Sequence, residues 1–309
     1  MPHPRPLALV GPTAVGKTSL ASHLAPRLGA EIVSVDSMLL YRGMDVGTAK
    51  PTAAERAAVP HHLVDVVEPS EPYSVARYQA DVRAALAAIA RRRRRALLVG
   101  GSGLYLRAAV DELRFPGTDA AVRVDLETEG ALVGASALYR RLADLDPDAA
   151  GKIEPANLRR TVRALEVAAI TGRPFSTFAT AWERYPYDAM RAAGVTMAPD
   201  VLRERIARRV EAMLGAGWLD EVRALMERGF GGWLTSSQAI GYAELAAHLE
   251  GRTSLEEAVH ATIRRTRNLA RRQLAWFRRD PRIRWFHAGP EGAIGVADGV
   301  GDHLEEGLR

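Results

Sequence analysis

Eight consecutive residues near the amino terminus carry the first chemical signal: Gly11, Pro12, Thr13, Ala14, Val15, Gly16, Lys17 and Thr18. They follow the apolar run Leu7 to Val10 and lead into a helical pattern through Leu20, Leu24 and Leu28. That is the strand, glycine-rich turn and helix start of a phosphate cradle. The two glycines let successive N–H groups aim inward, and the helix start adds the positive end of its dipole. Lys17 can reach the terminal phosphate oxygens, and the Thr18 hydroxyl is placed to ligate magnesium. Only Lys17, Lys50 and Lys152 are lysines among 42 basic residues. A compact ammonium fits inside a ring of amides where a planar guanidinium would not. The chemistry is that of a diphosphate or triphosphate site.

A second group follows. Glu31 to Asp36 reads as a buried strand ending in a carboxylate, and in an open parallel sheet ligands bind at the carboxyl ends of strands, so Asp36 is expected to face the cradle; its bland alternative is a helix cap. The run Ala96 to Val99 reads as another buried strand, ending in Gly100, Gly101, Ser102 and Gly103. A P-loop hydrolase usually carries an acid at such a strand end. Glycines and a hydroxyl here suggest chemistry other than ATP hydrolysis.

Arginine supplies the third signal. Between Ser254 and Arg279, Val259, Ile263, Thr266, Ala270, Leu274 and Phe277 form an apolar helical stripe. Arg264, Arg271 and Arg278 recur every seven residues, as do Arg265, Arg272 and Arg279, and no carboxylate intervenes. The repeat places guanidinium groups about 10 Å apart along one side, a spacing suited to nucleic-acid phosphates. The five arginines from Arg91 to Arg95 are instead expected to close a helix that Ser74 opens, where cations offset the dipole. The neighbouring His61 and His62 would point to opposite faces of a short strand and so do not suggest a metal site.

The elements needed to hold these groups are an α/β frame. Strands alternate with helices up to residue 111 and resume near 199, with a returning strand at 194–199, Asp200 as a helix cap, and a closing strand at 282–287 before a glycine-rich tail. Between 112 and 198 the pattern lapses into helical stretches at 120–129, 136–145 and 157–170. The expected architecture is a P-loop NTPase-like parallel sheet flanked by helices, its core formed by 1–111 and 199–309, with 112–198 as an inserted all-helical subdomain. The 309 residues are 47% hydrophobic, enough for a sizeable core. With no cysteine, disulfides, thiolate zinc sites and cysteine nucleophiles are excluded. No apolar run approaches a membrane span, and a cytoplasmic location is expected. The net charge of +5 is compatible with a polyanionic partner.

Taken in order, these stretches resemble the tRNA dimethylallyltransferase (tRNA isopentenyltransferase) family of the bacterial type, from about residue 7 to 287. The resemblance is carried by the cradle, Ser34-Val-Asp-Ser37, Tyr41-Arg-Gly-Met-Asp-Val-Gly-Thr-Ala-Lys-Pro51 and Val99-Gly-Gly-Ser-Gly-Leu-Tyr105. It continues through Arg159-Arg-Thr-Val-Arg-Ala-Leu-Glu166, Ile240-Gly-Tyr242 and Thr266-Arg-Asn-Leu-Ala-Arg-Arg-Gln273. It implies transfer of a dimethylallyl group from dimethylallyl diphosphate to the exocyclic amine of the adenine 3′ of the anticodon, releasing diphosphate. It also implies Mg2+ as cofactor, held in part by Thr18, the tRNA anticodon stem-loop as partner, no membrane, and a monomer.

The resemblance further assigns roles. Asp36 would accept the proton of the attacking amine, with Ser102 and Arg223 as further catalytic residues, Arg223 on the departing phosphate. The tRNA-contacting positions would be Asp36, Ser37, Met38 and Leu39, with Ser102 and Arg123; then Arg159, Arg160, Thr161, Val162 and Arg163; and Gln238, Ala239, Ile240, Gly241, Tyr242 and Ala243. Leu39 replaces a glutamine common in the family and Ala243 a basic residue. Trp218, Trp233, Tyr242 and Trp276 are aromatic candidates for stacking or core. A P-loop kinase using ATP is the alternative; it explains the cradle and Asp36 but leaves the arginine ladder without a task. A non-enzymatic RNA-binding or NTP-sensing protein explains the ladder but leaves the cradle-facing carboxylate without a task.

Overall fold

The computed structural model describes residues 5–178 and 184–306. Two compact units are present, Met1–Val110 with Pro186–Arg309, and Asp111–Tyr185.

The larger unit is built on a six-stranded parallel sheet: β1 Leu7–Val10, β2 Ala30–Ser34, β3 His61–His62, β4 Arg95–Gly100, β5 Arg191–Thr196 and β6 Ile283–His287, in the order β3-β2-β4-β1-β5-β6. Strands covered on both faces need continuous apolar runs rather than alternation. β1 is Leu-Ala-Leu-Val, fully buried along its length. The cradle helix Lys17–Arg27 covers one face, where Leu20, Leu24 and Leu28 meet Leu9, Ile32 and Leu97. Each such buried leucine stabilises the fold by about 1.5–3 kcal/mol. The helix Val75–Arg91 packs on the other side of β2 and β4. It opens as expected at Ser74, whose side chain accepts the N–H of Arg77.

The returning strand begins earlier than its sequence suggested. Arg191–Thr196 pairs with β1, Leu7 against Arg191 through Val10 against Gly194, so the helical unit closes at Tyr185 and not at 198. Asp200 does not cap the next helix. Pro199 takes the first helical position, a place that needs no N–H, and Asp200 in the first turn pairs with Arg203. The glycine-rich tail also gains structure: Ala297–Glu305 is a helix whose Val300 and Leu304 are fully buried in the core. Its low intrinsic propensity is offset by that burial and by Arg27, which reaches Asp302 at 2.5 Å and Glu305 at 2.8 Å.

The smaller unit contains the helices Ala120–Val133, Ala135–Leu145, Pro147–Ala150 and Leu158–Thr171. Leu126, Leu138, Leu142, Val162 and Leu165 form its core. Asp119 caps the first helix through the N–H groups of Ala121 and Val122.

Candidate active site

The cradle turns as its glycines require. Gly11 has φ 151° and Gly16 φ 102°, and a Cβ on Gly11 would lie 2.3 Å from the carbonyl oxygen of Val195. No other residue fits at Gly11. The Lys17 ammonium curls back to donate to the Pro12 carbonyl at 2.7 Å. Burial pushes its pKa down to about 7, the charge of Arg209 pushes it the same way, and Asp36 partly opposes them. A cation held so unfavourably gains most from an anion placed beside it.

Asp36 stands just beyond the carboxyl end of β2, and its Oδ1 accepts the Met38 N–H at 2.8 Å, which orients the carboxylate. Two cavities meet there. One, of about 430 Å³, is walled by the cradle residues Gly16, Lys17 and Thr18 with Ile32 and Ser34. The other, of about 420 Å³, is walled by Ser37, Met38, Ser102, Trp218, Ile240 and Tyr242. Thr13, Asp36, Thr48, Gly101, Arg209 and Gln273 line both. A carboxylate, a guanidinium and the phosphate loop therefore share one neck between two chambers.

The glycines after β4 are explained by what packs on them. A Cβ on Gly101 would lie 2.2 Å from Nε2 of Gln273, and one on Gly103 would lie 1.9 Å from Trp276 Cδ1. Both side chains come from the ladder helix Leu255–Phe277, so these glycines let that helix approach the neck. Trp218 makes the same demand of the other wall, 2.0 Å from the Cβ positions of both Gly47 and Gly241. Trp218 is buried edge-on to Tyr242, so both are wall residues rather than free stacking platforms. Trp233 packs edge-on to Phe230.

Of the residues expected in the site, Asp36, Ser37, Met38, Ser102, Gln238, Ala239, Ile240 and Tyr242 are brought together around the second cavity. Leu39 lies on the cradle side. Gly241 is buried beneath Trp218, and Ala243 lines neither cavity. Arg223 is not in the site. The helix Trp218–Glu227 buries Trp218, Val222 and Leu225, which turns Arg223 outward to pair with Asp220 at 2.5 Å. The arginine that does face the neck is Arg209, missed in the sequence; it lies three residues after buried Ile206, and Ile206, Arg209, Val210 and Met213 all line the second cavity. An arginine on the apolar face of an amphipathic helix was the available signal.

In the helical unit, Arg159 and Arg160 are exposed, whereas Thr161 and Val162 are buried in its core and have no surface to offer RNA. Arg123 and Arg163 converge on the fully buried Glu166 at 2.7 and 2.9 Å, and Arg163 also donates to the carbonyls of Pro116 and Gly117. Those two guanidinium groups close the unit internally.

The ladder arginines Arg264, Arg265, Arg271, Arg272, Arg278 and Arg279 are all exposed. Ala258, Thr262, Ala270 and Phe277 are the most deeply buried positions of that helix, so the stripe is rotated slightly from the one the sequence suggested. Arg265 and Arg272 line the second cavity, and Arg265 pairs with Glu244.

For magnesium, the cradle-side chamber offers the Thr18 hydroxyl, Asp36 and the Ser34 hydroxyl, which is buried with no partner. Oxygen donors of this kind suit the ion. Among the described residues no cluster of three or more His, Cys, Asp or Glu could hold a metal by itself. Among them, too, no helix is long and apolar enough to cross a membrane.

The chain matches the profile of the family described as IPP transferase over residues 39–280, and that of isopentenyl transferase over 5–64. It is 51% identical over 288 residues to the tRNA dimethylallyltransferase of Streptomyces coelicolor, covering 93% of this chain and 92% of that one. It resembles the crystal structure of a tRNA isopentenylpyrophosphate transferase from Bacillus halodurans with a TM-score of 0.69 and 40% identity, covering 98% and 97% of the two chains. A eukaryotic dimethylallyltransferase acting on tRNA is similar over 91% of this chain and 73% of its own, with a TM-score of 0.77 and 27% identity.

Proposed function

This chain belongs to the IPP transferase family, and from that premise we propose that it transfers a dimethylallyl group from dimethylallyl diphosphate to the exocyclic amine of the adenine 3′ of the anticodon in tRNA. The single observation that supports this most is the neck at Asp36: a cradle for phosphate on one side, a separate chamber on the other, and a carboxylate lining both.

In this reading the diphosphate occupies the cradle, against the amides of Gly11 to Thr18 and the Lys17 ammonium. Arg209 replaces Arg223 as the guanidinium that meets the negative charge developing on the departing diphosphate. Thr18, with Ser34 in the same chamber, would hold magnesium, which would supply further neutralisation of that charge. An adenine unstacked from the anticodon loop, at a cost of about a few kcal/mol, enters the chamber walled by Ser37, Met38, Ser102 and Tyr242. Its exocyclic nitrogen attacks the allylic carbon as the carbon–oxygen bond breaks, and Asp36 takes the proton. The exposed ladder arginines meet tRNA phosphates, as do Arg159 and Arg160 on the helical unit. We assign the protein to the cytoplasm, acting as a monomer.

The test is to incubate protein, magnesium and unmodified tRNA with labelled dimethylallyl diphosphate or with labelled ATP. Label from the prenyl donor in RNA supports the reading; label moving only from ATP to a small acceptor would establish the kinase alternative.

A further inference from the structure

The backbone N–H of Thr13, the third residue of the cradle, donates to Oε1 of Gln273 at 2.8 Å. Gln273 belongs to the 23-residue ladder helix. Its neighbour Arg272 is exposed at the mouth of the second chamber, while Gln273 itself lines both chambers. The interaction is built in: Gly101 carries no side chain where a Cβ would collide with the Gln273 amide, and Gly103 makes the same room for Trp276 one turn later. One rigid element thus carries the RNA-side arginine and, one residue on, the acceptor that fixes the phosphate loop.

We propose that Gln273 is a positioning residue that couples tRNA seating to donor binding, so that each ligand tightens the other; this rests on the transfer reading above. A glycine-rich turn pays an ordering cost when it wraps a phosphate, and its amides are useful only when aligned. Fixing the Thr13 amide from outside aligns the loop residues that follow it. RNA phosphates on Arg272 and its neighbours hold the ladder helix in place. The helix cannot shift Arg272 without moving Gln273, because both lie on the same hydrogen-bonded turn. The RNA therefore meets part of the ordering cost before the diphosphate arrives, and by linkage the diphosphate returns the same factor to the RNA. Gln273 touches neither the proton nor the leaving group in this scheme.

The experiment titrates inorganic diphosphate with magnesium into the protein alone and into protein saturated with the unmodified anticodon stem-loop. In the native protein the RNA is expected to tighten diphosphate by at least about fivefold. In Gln273→Ala, and in the near-isosteric Gln273→Met, that ratio is expected to fall to about 1 while RNA affinity in the absence of diphosphate stays within about twofold. Gln273→Glu keeps an acceptor at the same reach and is expected to restore the ratio even where its charge weakens diphosphate binding outright. A ratio near 1 in the native protein, or a native ratio in both the Ala and Met variants, overturns the coupling role and leaves the transfer reading standing. Failure of the native protein to bind either ligand overturns the transfer reading and this inference with it.

Discussion

The hydroxyl of Tyr242 donates to Oε1 of Glu221 across 2.6 Å, and Oε2 of the same carboxylate accepts the N–H groups of Asp45 and Val46, both at 2.8 Å. Gly47 adds a fourth donor at 3.2 Å. Glu221 thereby ties the polar loop after Tyr41 to the wall of the second chamber, and burial together with this partner raises the Tyr242 pKa well above its ordinary value. Glu221→Ala strands several donors at once, each at about 1–3 kcal/mol. Tyr242→Phe removes one. Thermal denaturation is expected to show the larger loss for Glu221→Ala, and equal melting temperatures for the two variants would contradict the hub.

Asp36→Asn keeps the size of the side chain and an acceptor for the Met38 N–H but removes the carboxylate that would take the amine proton. Turnover is expected to fall by at least about 10²-fold with tRNA affinity largely intact. Near-native turnover would remove Asp36 from that role.

Arg209 and Arg223 offer a direct comparison, since one faces the neck and the other solvent. Arg209→Gln is expected to lower kcat/KM for the donor by about 10²-fold or more, on the scale of other transition-state charge stabilisers. Arg223→Gln should leave it within about twofold, the effect of losing a surface ion pair. The reverse ranking in steady-state kinetics would restore the assignment made from sequence.

Replacing Arg271, Arg272 and Arg278 together with Gln is expected to weaken tRNA binding and flatten its salt dependence by up to about 0.9 log unit for each RNA phosphate that is no longer neutralised. An unchanged slope would return that face to solvent.

Away from the site, Glu31 is buried on β2 with Arg92 at 2.6 Å and His62 at 2.7 Å. The hydrogen bonds from Arg92, joined by that of His62, outweigh burial and hold its pKa at about 2, against 4.5 unperturbed. A carboxylate with a depressed folded pKa stabilises the fold fully above its unfolded value and loses that contribution as pH falls through its folded one. Stability of the native protein is therefore expected to decline between about pH 4.5 and pH 2 more steeply than that of Glu31→Gln, in denaturant titrations across that range. Parallel curves would contradict the pairing.

Much of this was legible before any coordinates. The cradle, Asp36 and the buried strands are local patterns: a turn that needs glycine, a run that needs two covered faces, a residue at a strand end. What escaped were consequences of packing. Arg209 and Arg223 sit on similar amphipathic helices, and only the direction of each buried face separates them. The glycines after β4 were read as the absence of an acid; they are the room that Gln273 and Trp276 require, from a helix far along the chain. Thr161, Val162 and Arg163 belong to a motif whose spacing is kept as much by the core of the helical unit and by the buried Glu166, which Arg123 also reaches, as by any surface. The tail helix Ala297–Glu305 is stabilised by burial of Val300 and Leu304 against the cradle helix and β5, which local propensity does not report.

The central claim is that donor and acceptor meet at Asp36 from opposite chambers. The most direct measurement is a crystal structure with the anticodon stem-loop and an unreactive thiolo analogue of dimethylallyl diphosphate. The account expects the diphosphate against Lys17 and Thr18, the adenine against Ser37, Met38 and Tyr242, and its exocyclic nitrogen within hydrogen-bond reach of the Asp36 carboxylate. Both ligands in one chamber, or an adenine amine far from Asp36, would contradict it.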